Sequence, residues 1–363
     1  MDIRPPLENM RQRFERLVDE LSAPEAAASP QRYQQLRREH ARLSPVIEAY
    51  GAYRRLLQER RDLQSLAENP EPGLREMAVH DLSRIEGELA VLEQRLRISL
   101  LPPDPNEERN ILLEIRAGAG GDEAGLFAAD LLRMYARYAE AHGWKLEPLE
   151  SSLSERGGIK EAILQISGPG VWNAFKFERG VHRVQRVPAT EASGRIHTST
   201  ATVAVLPEAE EVDLKIDPGE LRIDTYRASG AGGQHINKTD SAVRITHIPT
   251  GFVVACQDER SQIKNRAKAM KLLRSRLLER LQEKQNREIS EARKNQVGTG
   301  DRSEKIRTYN FPQDRVTDHR INATLHNLPA ILEGGLDPLI AQLRKEEQTR
   351  QLTELSSRSW DAA

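Results

Sequence analysis

Between Arg227 and Thr239 the chain reads Arg-Ala-Ser-Gly-Ala-Gly-Gly-Gln-His-Ile-Asn-Lys-Thr. Gly232 and Gly233 can adopt positive φ and, lacking Cβ atoms, let the backbone come close to another molecule. That pair presents the backbone N–H and side-chain amide of Gln234 at the tip of a narrow loop. Arg227, His235 and Lys238 surround the tip, which favours an anionic target over a plain linker. The usual phosphate loops do not fit. Asn237 stands where a Walker loop needs its second glycine before Lys238-Thr239, and His235 where a dinucleotide pattern begun at Gly230 needs its third.

Two other stretches hold chemistry-bearing groups. Gly118-Ala119-Gly120-Gly121-Asp122-Glu123-Ala124 is a glycine turn opening a helix, where free backbone N–H groups can meet an anion or a base edge. Asp122 and Glu123 would repel a pyrophosphate. They either complement the helix dipole or grip a ligand that carries hydrogen-bond donors. Between Pro188 and Thr198 lies a loop whose Thr190, Ser193, His197 and Thr198 offer short donors and acceptors. Small hydroxyls suit single-stranded base edges, and an imidazole can stack on an unpaired base. Stacking of that kind is worth on the order of 1–3 kcal/mol per base.

The elements that must hold these groups follow from composition and periodicity. The 363 residues suffice for two to four domains, and a net charge of −1 means that any basic surface must be local. Charged residues make up 30% and aromatics 4%, which suits long solvated helices with thin aliphatic cores. Cys256 is the only cysteine, so there is no intrachain disulfide or zinc-finger spacing, and a reducing cytosol is expected. Met1-Asp2-Ile3-Arg4-Pro5-Pro6 has neither an apolar run nor an Arg/Ser-rich leader. No stretch reaches membrane-spanning length.

To about Leu101 the pattern is helical. Leu7, Met10, Phe14, Leu17 and Leu21 recur at three- and four-residue steps, as do Leu36, His40, Leu43, Ile47 and Tyr50, then Ala78, Leu82, Ile85, Leu89, Leu92 and Leu96. Narrow seams on charged helices predict an antiparallel hairpin or small bundle. Ser44-Pro45 should kink or restart the second helix. After the stiff Leu101–Pro105 linker, strands are expected around Ile111–Ile115, Lys145–Ser151, Ile159–Ile166, Val181–Val187 and Thr198–Val205. Further strands around Leu221–Tyr226, Ala242–His247 and Phe252–Cys256 hold the Gly-Gly-Gln loop, before a long helix from Gln262 toward Arg293. The first half of that helix is strongly basic, carrying Arg260, Lys264, Arg266, Lys268, Lys271, Arg274, Arg276, Arg280 and Lys284 against only Glu279 and Glu283. Beside the glycine loop such a run favours phosphate contact. The fold class is α+β and multidomain, a helical N-terminal bundle followed by two α+β units.

Along nearly its whole length the chain resembles the bacterial peptide chain release factor 1 family, class-I factors of translation termination. The likeness is carried by Gly232-Gly233-Gln234, Pro188-Ala189-Thr190, Gly120–Ala124, Gly194–Thr198 and the run from Arg302 to Gln313, in that family's order. The resemblance implies a factor that reads UAA and UAG in the ribosomal A site and promotes hydrolysis of the peptidyl-tRNA ester. The sister factor reading UAA and UGA carries Ser-Pro-Phe where this chain has Pro188, Ala189 and Thr190.

By likeness, Thr190 would hydrogen-bond the first two codon bases, and Gly120 with Glu123 would accept uridine first. His197 would stack on the second base, while Gln185 and Thr198 would read the third. Gly232, Gly233 and Gln234 would be the hydrolytic tip, with Gln234 methylated on its amide nitrogen by a glutamine methyltransferase. No Ser-His-Asp or Cys-His set is placed near Gln234, and an amide has no useful proton at neutral pH, so general base catalysis is not expected. One N–H aimed at developing oxyanion charge is typically worth roughly 100- to 1000-fold. Ribosomal RNA and the peptidyl-tRNA would complete the site, so no free-standing enzyme activity, cofactor or metal is implied.

The implied division is a ribosome-docking domain over 1–106 and a codon-reading domain over 107–217 plus 308–328. A catalytic-tip domain covers 218–307 with a mobile connection at 296–307, and a C-terminal helix and tail cover 329–363. The chain is expected to be cytoplasmic and monomeric off the ribosome, with no membrane partner. Two alternatives remain open. One is a codon-independent peptidyl-tRNA hydrolase for ribosome rescue, and the other a non-catalytic ribosome-binding protein.

Overall fold

The computed structural model describes residues 2–24, 29–68, 71–154, 157–188, 194–209, 214, 216–227 and 240–358. They gather into two compact units, Met1–Pro105 with Asp337–Ala363, and Asn106–Leu336.

The first unit is helical: α1 (Arg4–Ser22), α2 (Pro30–Ala67), α3 (Pro72–Ser99) and, from the other end of the chain, α8 (Asp337–Arg358). The apolar seams meet as the spacing requires. Leu7 of α1 packs with Ala49, Tyr50 and Tyr53 of α2 and with Ile85, Leu89 and Leu96 of α3. Leu17 joins Leu36 and Leu43 in a second cluster, and the Phe14 ring stacks on His40 at 4.7 Å. Early α1 thus meets late α2, an antiparallel arrangement. Pro45 neither restarts α2 nor ends it, since one 38-residue helix runs straight through. An internal proline forfeits a helical hydrogen bond and costs about 3 kcal/mol. Here buried residues on both sides, Leu43 before and Ala49 after, hold the helix together by packing. Ser44 does not cap a new helix, and its Oγ instead lies 3.4 Å from Glu48 Oε1.

The second unit opens with β1 (Ile111–Ala117), α4 (Asp122–Ala141), β2 (Lys145–Leu153), β3 (Ile159–Ser167), α5 (Val171–Phe175), β4 (Gly180–Arg186) and β5 (His197–Pro207). It continues through β6 (Leu221–Tyr226), β7 (Ala242–His247), β8 (Phe252–Cys256) and α6 (Gln262–Val297). It closes with β9 (Lys305–Asn310), β10 (Arg315–Asp318), β11 (Ala323–His326) and α7 (Leu328–Leu332). The strands form an eight-stranded sheet, ordered β11-β10-β9-β4-β5-β1-β3-β2, and a three-stranded sheet, β6-β7-β8. Every neighbouring pair is antiparallel except β4 and β9.

β1 is buried on both faces. Ile111, Leu113 and Ile115 stand in register with Pro207, Val205 and Val203 of β5, while α4 packs on the sheet through Phe127, Leu131 and Tyr135. From the other side of β1, Glu114 pairs with Arg293 of α6. The first half of α6 also backs the small sheet, where Val243, Ile245, Val254 and Cys256 meet Ala269, Leu273 and Leu277.

The end of α6 differs from the expected loose connection. Gln296 and Val297 finish the helix, and Gln296 hydrogen-bonds both backbone groups of Val205, accepting from its N–H at 2.9 Å and donating to its C=O at 3.0 Å. Arg302–Glu304 forms a short 3-10 turn, and Lys305–Arg307 already belongs to β9. Lys305–Asn310 and Arg315–Asp318 are thus strands, where the sequence offers no strand pattern.

Candidate functional site

Three strands meet at the end of the large sheet where β4 stops and β5 starts. Gln185 stands opposite Thr198 and Arg186 opposite His197. On the other flank of β4, Asn310 lies beside Gln185, and its Nδ2 donates to Gln185 Oε1 at 3.2 Å. The Phe311 N–H donates to the Gln185 backbone carbonyl at 3.0 Å. His197 is exposed and Thr198 half-buried, and Pro188, just beyond β4, is buried.

The glycine turn before α4 comes to the same end. Gly118 N–H donates to the Thr200 carbonyl at 2.8 Å, Ala119 N–H to Thr200 Oγ1 at 2.8 Å, and Thr200 N–H returns to the Ala119 carbonyl at 2.9 Å. Gly120 has φ +137°, and a Cβ there would lie 2.3 Å from Ser199 Oγ. Only glycine lets this turn lie flat on β5, next to Thr198. Glu123, in the first turn of α4, is 4% exposed. Its Oε1 accepts from Arg186 Nε at 2.6 Å, while its buried Oε2 has no hydrogen-bond partner among the described residues. Arg186 also donates from Nη1 to Asp130 Oδ2 at 2.6 Å, and its guanidinium lies 5.0 Å over the Phe311 ring. Burial works against this charge, yet Asp130 and Glu123 raise the Arg186 pKa above its ordinary value.

Gly120, Glu123, Gln185, His197 and Thr198 are therefore neighbours along one edge, with Pro188 at the start of the loop beside it. Ala189 and Thr190 lie outside the described residues. Arg186, Asp130 and Ser199 complete the edge without having stood out in the sequence. An arginine ending a strand and an aspartate on a helix read as solvated charge until tertiary contact buries them.

A buried polar cluster fixes the strands beneath. Arg307 of β9, fully buried, donates to both oxygens of Glu178 at 2.6 and 2.8 Å, and its Nε lies 3.3 Å from Asp318 Oδ2. Tyr135 of α4 donates to Glu178 at 2.9 Å, and His182 of β4 reaches the Glu178 carbonyl at 2.8 Å. Burial, with the Arg307 charge, pushes the His182 pKa down to about 4. Burial alone would raise Glu178, but Arg307 outweighs it and holds the carboxyl below its usual range. Burial lifts Tyr309 to about 12.

Gly232, Gly233 and Gln234 also lie outside the described residues, but the base that carries them is described. Tyr226 pairs with Ala242 where β6 ends and β7 begins, and Arg227 Nε lies 3.7 Å from Asp240. Asn265 of α6, fully buried, donates to the carbonyls of Ser241 and Glu259 at 2.7 Å each and accepts from Glu259 N–H at 3.0 Å. Part of the basic run on α6 is locally engaged, with Lys268 3.1 Å from Glu259 and Arg280 over the Phe252 ring. Among the described residues, no group of three or more His, Cys, Asp or Glu side chains could hold a metal ion. None of the described helices is long and apolar enough to cross a membrane.

The PCRF domain family matches residues 10–203 and the RF-1 domain family residues 210–320. A peptide chain release factor 1 of Solidesulfovibrio magneticus is 56% identical over 346 residues, covering 95% of this chain and 97% of that one. One from Acetivibrio thermocellus is 57% identical over 341 residues, with 94% and 95% covered. Among solved structures, RF2 of Thermus thermophilus superposes with a TM-score of 0.51 at 36% identity, covering 94% of this chain and 96% of that one. With both domain models matched in order and more than half the residues shared over nearly the full length, this chain belongs to the peptide chain release factor family.

Proposed function

We propose that this chain ends translation by reading UAA and UAG in the ribosomal A site and bringing Gln234 to the peptidyl-tRNA ester. Its role in translation termination follows from its family, and its working partner is the ribosome. The observation that carries the codon assignment is the shared edge of Gly120, Glu123, Gln185, His197 and Thr198. These groups come from three separate segments, and their mix of backbone, hydroxyl, amide and imidazole suits unpaired bases better than phosphates. In this reading Gly120 and Glu123 admit uridine first, and Thr190, beyond Pro188 and Ala189, contacts the first two bases. His197 stacks on the second base. Gln185 and Thr198, cross-strand neighbours, accept A or G third, which yields two codons. A wrong base leaves buried polar atoms unpaired, a heavier loss than a missing methylene.

The chemistry at the far site asks little of side-chain basicity. Gly232 and Gly233 admit the loop to a narrow space, and Gln234 positions water and donates its N–H to charge developing on oxygen. Ribosomal RNA and tRNA supply the remaining groups, so the free chain is inert. Gln234 is the residue a glutamine methyltransferase would modify, and the factor works as a cytoplasmic monomer. The division at 1–106, 107–217 with 308–328, 218–307 and 329–363 is the working hypothesis for which segment docks, reads and hydrolyses.

The test is peptide release from purified ribosomes programmed with UAA, UAG, UGA or a sense codon. Release at UAA and UAG alone supports the reading. Release at every codon would point to a codon-independent rescue hydrolase, and binding without release to a non-catalytic ribosome-binding protein.

A further inference from the structure

The strand ladder fixes Gln185 and Thr198, because β4 is hydrogen-bonded to β5 on one side and β9 on the other. The start of α4 has no such ladder. Its glycine turn is sewn to Thr200 and its buried face packs on the sheet, with Phe127 edge-on to Tyr309, while Arg186 ties its first two turns to the end of β4. That guanidinium bridges Glu123 in the first turn of α4 and Asp130 two turns on, with Phe311 of the β9–β10 turn against its face. Its side chain is 18% exposed and that of Glu123 is 5%, so these charge-assisted bonds are largely shielded from water. Among the described residues Glu123 Oε2, buried, has no hydrogen-bond partner, and Arg186 is the group that holds that carboxylate.

We propose that Arg186 is a positioning residue for first-base selection. It touches no base, and it fixes the height and tilt of the Gly120–Glu123 segment relative to the Gln185–Thr198 pair. The inference rests on the codon-reading assignment above and adds a residue to it. With the Glu123 carboxylate buried under Arg186, what this segment turns outward is backbone, whose position tracks the helix start rigidly. Loss of the clamp lets that backbone shift while the strand-borne groups stay in place. Discrimination at the first base is therefore the one that suffers.

The experiment measures kcat/KM for release by the full chain at UAA, at CAA (first base changed), at UGA (second) and at UAC (third). In Arg186→Ala the preference for UAA over CAA should fall by about tenfold, the scale of a lost buried charge-assisted hydrogen bond. The UAA/UGA and UAA/UAC preferences should hold within about twofold. Arg186→Lys keeps the charge without the planar fork and should fall between, as should Asp130→Asn, which removes the second anchor. Equal loss at all three positions, or an unaltered UAA/CAA preference in a variant that melts like the parent, overturns the proposal. If Arg186→Ala does not fold, the Lys and Asn variants decide by the same criterion. Failure of the parent chain to distinguish UAA from CAA would instead refute the codon-reading assignment itself.

Discussion

At the scale of single residues, the two halves of the proposed activity can be tested apart. Gln234→Pro removes the backbone N–H and the amide together, so peptide release at UAA should drop by at least about 100-fold. Binding to UAA-programmed ribosomes, followed by filter retention, should stay within about threefold, because the groups proposed to face the codon lie on other segments. Gly120→Ala is a sharper probe of the other end. The new methyl would meet Ser199 Oγ at 2.3 Å and the backbone would be held at an unfavourable φ. A cost of about 1–3 kcal/mol follows, and it should appear both as a lower melting temperature and as weaker binding to UAA ribosomes. Pairing Gly120→Ala with Ser199→Gly opens that space and should recover part of the loss. The glycine turn and the threonine-rich loop were visible in sequence because glycine and small hydroxyl clusters are rare inside regular elements. Arg186 was invisible because nothing in one dimension says which arginine will be buried.

At the scale of elements, legibility followed the clarity of the apolar pattern. β6, β7 and β8 start and stop where alternation predicted, and the helical seams of α1–α3 supply the buried residues of their unit. β9 was missed for a physical reason. Arg307 and Thr308 are buried yet polar, satisfied by Glu178, Asp318 and His319, so the strand shows no hydrophobic alternation. Pro45 misled in the opposite direction, since local propensity argued for a break that packing overrode. Pro45→Ala should therefore stabilise α2, by about 1 kcal/mol or more once the lost unfolded-state restriction is set against the regained hydrogen bond. Urea unfolding followed by circular dichroism would show it as a raised midpoint for the helical unit. Asn265→Ala should act on the small sheet. It leaves the Ser241 and Glu259 carbonyls and the Glu259 N–H without their buried partner and should cost about 2–4 kcal/mol. Slower release at saturating factor, with codon preference intact, would place the effect at the base of the Gly-Gly-Gln loop.

At the scale of the whole molecule, acid is the informative stress. His182 has a pKa of about 4 in the fold against an ordinary 6.5. Above the ordinary value both folded and unfolded chains hold it neutral, so it contributes no pH dependence there. Between the two values the unfolded chain takes a proton that the fold refuses, and stability falls as pH drops, by on the order of 3 kcal/mol across the window. Glu178 and Asp318 are also held below their usual values, so each contributes stability that is lost as pH falls further. The eight-stranded unit should thus lose stability below about pH 6.5, and His182→Gln should flatten that first decline. Thermal melts between pH 7 and 4.5 would check both. A slope that is unchanged in the His182 variant would assign the decline to other groups.

The β6–α6 segment leaves the large sheet after β5 and returns to it at β9, and both points lie at the same end, since Val203 pairs with Gly180 and Lys305 with Val181. Gln185, Thr198 and Asn310 occupy the opposite end of those same strands, five or so residues away, roughly 17 Å. The inserted piece is held at that rim by more than its two chain crossings, since Arg293 meets Glu114 and Gln296 bonds both backbone groups of Val205 along the last turns of α6. Three adjacent strands join that clasped rim to the end proposed to face the codon, so under the proposed function the sheet works as a stiff beam that carries a push from one tip to the other.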